Sequence, residues 1–161
     1  LSNISRCFII VELNDLLLTK ERQHKVTRNT PSPICSQCNS GEIDSSYSHT
    51  FTRCSFTADV TGWLLEKISH IDPDITPEKI VRLQFETVNP EDELIATWLT
   101  AEALQYSWAR RQSRLPIQTH IMILELANKA GYMASSTLFA EPGRRLCSII
   151  LQQDIPFDDA E

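Results

Sequence analysis

The chain has 161 residues, is 42% hydrophobic and carries a formal net charge of −6. That apolar fraction excludes a wholly disordered chain and suits one domain, or a small module joined to a helical one. No run approaches the ~20 consecutive apolar residues that a membrane-spanning helix needs.

The longest early apolar run, Cys7-Phe8-Ile9-Ile10-Val11, stops at Glu12 and lacks the form of a signal peptide. The chain is therefore expected to be soluble and intracellular, in the nucleus or cytoplasm. Because it begins at Leu1, it is expected to be a piece of a longer polypeptide. Charge is uneven along it. Residues 1–56 hold 6 Lys or Arg against 5 Asp or Glu, a net of +1, and residues 57–161 carry the remaining −7. A contact with nucleic acid driven by charge belongs to the first part.

Helical spacing of Ile9, Ile10, Leu13, Leu16 and Leu17 predicts a helix over 6–18. Thr19 then caps a short helix from Lys20 to about Val26, and Thr30-Pro31-Ser32-Pro33 breaks it, since neither proline continues a helix. Residues 34–54 form a loop rich in Ser, Gly, Asn and Asp that cannot build a core of its own, with room for a short hairpin. From Thr57 the pattern turns helical, with Val60, Trp63, Leu64, Ile68 and Ile71 on one face until Asp72-Pro73-Asp74. Thr76-Pro77-Glu78 opens a short helix expected to reach Phe85. Asn89-Pro90 opens a long one to about Arg114, with Leu94, Trp98, Ala101, Leu104 and Trp108 inward. Arg110, Arg111 and Arg114 suit the negative end of that helix dipole. A further helix begins near Pro116, with Ile117, Ile121, Leu124 and Ala127 inward and Gly131 as its stop. A last one spans Arg144–Gln152, before an acidic tail expected to fray. The fold class is mainly α, in two parts: residues 1–56, with N-terminal helices and a metal-binding loop, and an acidic helical region over 57–161.

Cys35, Cys38, His49 and Cys54 follow the order C-x2-C-x10-H-x4-C. The close cysteine pair offers two thiolates from one turn, and the later His and Cys can reach the same ion, which is the usual provision for tetrahedral zinc. Three thiolates and one imidazole fill every position and leave none for an activated water, so the expected zinc is structural rather than catalytic. The competing readings are unrelated thiols beside a surface histidine, or a redox C-x-x-C. Cys7 and Cys147 sit in apolar surroundings and read as buried bystanders, while His24, His70 and His120 read as solvated or satisfied histidines. Phe51, Phe56 and Trp63 are either stacking platforms for bases or, preferably, the apolar seal between the loop and the next helix. Lys20, Arg22, Lys25, Arg28 and Arg53 are the candidate phosphate contacts, for RNA or single-stranded DNA; a solvated helix face is the alternative. No P-loop, dinucleotide glycine motif or nucleophile elbow occurs, and no catalytic residue is assigned.

Three segments together resemble the zinc-binding region downstream of the reverse transcriptase in non-LTR (LINE-type) retrotransposon proteins. They are Leu16-Leu17-Leu18-Thr19-Lys20-Glu21-Arg22, Ser32-Pro33-Ile34-Cys35-Ser36-Gln37-Cys38, and His49-Thr50-Phe51-Thr52-Arg53-Cys54-Ser55-Phe56 with the later Trp63. The likeness covers about residues 8–65 and weakens to Trp108-Ala109-Arg110. Ser45-Ser46-Tyr47-Ser48 stands where that family has Glu-Ser or Glu-Thr before the histidine, and the loop is slightly long. The resemblance implies a parent polypeptide that is an RNA-directed DNA polymerase and that this module supports in handling RNA or DNA; the short apolar runs lead to no expected membrane partner. A zinc-stabilised scaffold for protein partners is the reading from another class.

Overall fold

A computed structural model of the protein describes residues 19–27, 32–38, 40–87 and 89–152. The helix expected over 6–18, Cys7, Arg28 and the acidic tail lie outside the described residues. The fold is mainly helical. Its elements are α1 (Lys20–Thr27), a π-helical turn (Ser46–Thr50), α2 (Ala58–Ile68), α3 (Pro77–Val81), α4 (Pro90–Gln112), α5 (Thr119–Ala134) and α6 (Ala140–Leu151).

The chain divides into two compact units between Gln118 and Thr119. That parting does not coincide with the change of composition at 56/57. The loop is tied by Arg111 to the far end of α4, so α2, α3 and α4 share its unit.

In the first unit, local rules set the starts of the helices. Thr19 caps α1 by accepting the Arg22 amide at 3.3 Å. Thr76 accepts the Lys79 amide ahead of α3, and Asn89 accepts the Glu91 amide ahead of α4, each with proline in the first turn. Three acids, Glu91, Asp92 and Glu93, occupy the positive end of α4. Buried Asp72 orders the α2–α3 connection and its return, accepting the amides of Asp74 and Glu86.

The apolar core of this unit brings Val60, Trp63, Leu64 and Ile68 of α2 together with Ile80 and Val81 of α3 and Ile95, Trp98, Leu99 and Leu104 of α4. α3 ends at Val81, short of Phe85, and Leu83 then takes a left-handed φ of 53°. Along α4, Leu94 is exposed while its neighbour Ile95 is buried. The helix is covered over most of its circumference, with Ile95, Ala96 and the run Trp98 to Leu104 all buried, so no single stripe marks its inner face.

The second unit is a helical hairpin. Met122, Leu126 and Ala130 of α5 and Gly143, Leu146, Cys147 and Ile150 of α6 are its buried residues. The inner face of α5 is one position out of phase with the expected set, and Leu124 is exposed. Gly131 does not stop the helix, which continues to Ala134. Gly143 is the glycine that sterics require, because a Cβ there would lie 2.2 Å from the Ala134 backbone nitrogen. α6 begins at Ala140, four residues before the expected start, with Pro142 in its first turn where no amide is needed.

Candidate metal centre

The loop expected to lack its own core is organised by backbone hydrogen bonds around a narrow hairpin. Ile34 and Ile43 form an antiparallel bridge, the Cys35 amide donates to the Glu42 carbonyl at 2.9 Å, and the Asp44 amide donates to the Pro33 carbonyl at 2.9 Å. Gly41 turns the hairpin with a φ of 73°, a conformation that suits glycine. Cys35 and Cys38 sit on this hairpin, and the Gln37 amide points back to the Cys35 sulfur at 3.4 Å. The π-helical turn then presents His49. The amides of Thr52, Arg53 and Cys54 converge on the His49 carbonyl, folding Cys54 back toward the hairpin. Buried Thr57 and Thr61 lock this return, donating to the carbonyls of Thr50 and Phe51 at 2.6 and 2.9 Å.

The result is one cluster. The ligand atoms of Cys35, Cys38, His49 and Cys54 all lie within 4.8 Å of one another. The Cys35 and Cys54 sulfurs are 3.9 Å apart, and the Cys38 sulfur is 3.2 Å from His49 Nε2. Two sulfurs bound to one tetrahedral ion at ~2.3 Å are about 3.8 Å apart, so the observed spacing suits a shared metal. The four residues picked out by spacing are the four the fold brings together. Phe51 is fully buried against Trp108 of α4, with ring centroids 6.1 Å apart, so it seals the loop and cannot stack on a base.

Around the cluster stand three charged residues that its motif does not contain. Glu42 Oε2 lies 2.5 Å from His49 Nδ1, which fixes the ring and leaves Nε2 facing the cysteines. A carboxylate behind a ligating imidazole also raises its strength as a donor. Arg111 donates to the sulfurs of Cys35 and Cys54 at 3.5 and 3.9 Å. Its Nη2 also pairs at 2.5 Å with Asp44, a pair almost wholly removed from solvent. Arg111 thus serves the loop rather than only the end of α4. Burial alone would lower its pKa, but the Asp44 carboxylate and the two cysteines outweigh that and hold it above its ordinary value.

The thiols differ in readiness to bind. Burial pushes the Cys54 thiol up to about 12, with the neighbouring cysteines adding to the effect, so it keeps its proton until a cation replaces it. Cys38 feels burial too, but hydrogen bonds from Ser40, Cys35 and Cys54 outweigh it and hold the thiol at about 6. Cys38 is thus the ready thiolate at neutral pH.

The candidate phosphate contacts divide. Lys25 pairs with Glu21 at 2.6 Å, and Arg53 faces Glu42 at 3.6 Å while donating to the Ser48 carbonyl. Lys20 is half-buried and lines a polar cleft; Arg22 lies on α1 beside it in sequence; Arg28 is outside the described residues. His24, His70 and His120 are exposed and Cys147 is buried in α6. Among the described residues no helix is long and apolar enough to cross a membrane. No protein-family model, curated protein or solved structure matches the chain.

Proposed function

We propose that the cluster holds one structural zinc ion, and that the chain is a zinc-stabilised helical module that contacts RNA or single-stranded DNA. The observation that carries the zinc reading is the complete donor set: three sulfurs and one imidazole nitrogen within 4.8 Å, with Glu42 behind the imidazole. Three thiolates suit a borderline-soft cation, and four protein donors leave no open position for catalysis. Zinc with three thiolates and neutral imidazole retains one net negative charge, and Arg111 beside two of the sulfurs offsets it. The ion acts by closing the hairpin, the π-helical turn and Cys54 onto one point, in a loop with little apolar core.

The nucleic-acid reading rests on the resemblance of residues 8–65 to the region downstream of a retrotransposon reverse transcriptase, and on the basic balance of the first part. In that setting the module supports the parent polymerase in holding its template or target strand. The scaffold reading draws on a different observation, the exposed Tyr132, Leu138 and Phe139 of the second unit, which suit a protein partner.

Two measurements test the proposal. Elemental analysis of chain purified without chelator is expected to give one zinc per chain; a metal-free, folded protein overturns the zinc reading. Titration with single-stranded RNA at rising salt is expected to show binding that weakens as salt increases. Absence of binding at low salt, with zinc present, leaves the scaffold reading in its place.

A further inference from the structure

A polar cleft of about 190 Å³ opens beside the metal cluster, between α1, the cysteine hairpin and the end of α4. Lys20, Gln37, Asp44, Arg111, Gln112 and Arg114 line it, with no apolar side chain among its walls. Asp44 is its only acid, and that carboxylate is already engaged by Arg111, the Thr50 hydroxyl and the Lys20 amide. Neither Lys20 nor Arg114 pairs with an acid among the described residues, so the cleft keeps two uncompensated positive charges beside amide donors.

The way α4 ends brings Arg114 to the cleft. α4 closes with the Arg114 amide on the Arg111 carbonyl and the Leu115 amide on the Arg110 carbonyl, and Arg114 itself sits at a φ of 55°. This is the helix-ending position where glycine is the favoured residue, because a Cβ is strained there. The same left-handed φ follows α3 at Leu83 and ends α6 at Gln152, so the conformation belongs to local folding; what it does here is set the Arg114 cation at the wall of a cleft rich in donors.

We propose that this cleft is a phosphate-binding site, with Lys20 and Arg114 as its charged contacts and Gln37 and Gln112 as neutral donors. The proposal deepens the nucleic-acid reading and rests on it only for the source of the phosphate, a strand backbone rather than a free ion. It reassigns the contact. Lys25 and Arg53 are engaged with acids, whereas Arg114, which the sequence places at a helix end, becomes a principal contact. Phosphate contacts of this kind position a strand without reading its bases.

The test uses the zinc-loaded full chain, a Lys20→Ala/Arg114→Gly variant, and two probes: a uridine decamer and inorganic phosphate. Glycine at 114 relieves the strained φ, so the variant is expected to melt no lower than wild type. Each phosphate contact on a single strand contributes about 0.7 to the salt slope, so loss of two should flatten it by about 1.4. A control variant, Lys25→Ala/Lys79→Ala, removes two lysines that are paired with acids and should leave the slope as it was. Inorganic phosphate should shift the amide resonances of Gln37, Gln112 and Arg114 and compete with the decamer. A decamer bound with unchanged slope by the first variant overturns the cleft and leaves the nucleic-acid reading standing. Phosphate shifts without decamer binding keep the cleft and overturn that reading. Silence from both probes at low salt overturns both.

Discussion

The two units bury different kinds of side chain. Every buried polar or charged residue among those described, from Thr19 through Asp44, His49, Lys67, Asp72 and Glu102 to Arg111, lies in the first unit. The buried side chains of the α5–α6 hairpin are Met122, Leu126, Ala130, Leu146, Cys147 and Ile150, with Gly143 between the helices. The second unit is held by shape and apolar area, which change little with solution conditions. The first depends on partners that can be withdrawn: an ion, a proton or the other half of an ion pair. Buried charge without its partner costs far more than the pair contributes.

Withdrawing the metal should separate the units most sharply. Chelation is expected to abolish amide-exchange protection over 35–57 and loosen α4, while α5 and α6 keep theirs. Apparent zinc-binding energies of roughly 10–16 kcal/mol in small zinc domains match or exceed the ~5–15 kcal/mol that holds an ordinary domain together. Simultaneous loss of protection in both units would break the comparison, making them one cooperative body.

Arg111→Met comes next. It strands the Asp44 carboxylate in a buried site and should cost about 3–5 kcal/mol with zinc present, read as a shift in the denaturant midpoint. Arg111→Met/Asp44→Asn should recover part of that loss. A double variant as unstable as the sum of the two singles would mean the pair does not couple.

These charged partners mark where sequence reasoning ran out. The four ligands were legible because spacing in a turn is a local property. Asp44 and Arg111 lie 67 residues apart, and nothing in Trp108-Ala109-Arg110-Arg111 marks which of the two arginines turns inward. Glu42 carried a faint signal, an acid in the loop between the cysteines and the histidine, which polar loop composition hid. Helix starts were legible at Thr19, Thr76 and Asn89, where a cap or proline acts on its own backbone. Helix faces were harder. α4 is buried nearly all round, and the face of α5 is set by α6, so periodicity could not fix either phase. Gly131 and Gly143 look alike in sequence, but only one meets another backbone.

That pair gives the third test. Gly143→Ala would force a Cβ into the Ala134 backbone and should destabilise the hairpin by about 1–3 kcal/mol without altering zinc content. Gly131→Ala meets nothing within 4 Å and should stabilise the same hairpin by about 0.5–1 kcal/mol. Equal effects of the two substitutions would remove the close approach from the account of this unit.

The smallest effect concerns pH. Burial raises the Cys147 thiol above its ordinary value of 9.0. A thiol that keeps its proton longer when folded stabilises the fold fully below the unfolded value and loses that contribution as pH rises through the folded one. The hairpin should therefore hold its stability from neutral pH to about 9 and weaken above it. Cys147→Ala, less stable at neutral pH, should lack that alkaline decline. A parallel decline in both proteins would assign it to other groups.

Asp44 also bears on whether the metal loop can be moved. Its carboxylate accepts the Lys20 amide, the Thr50 hydroxyl and Arg111, so α1, the loop itself and the last turn of α4 all bear on it. A transplant of residues 32–57 alone would carry every zinc ligand and still leave a buried acid with only the Thr50 hydroxyl to meet it. The exchangeable part is larger, the loop with α1 and the last turns of α4. A host protein that accepts the loop must also supply a cation where Arg111 stood.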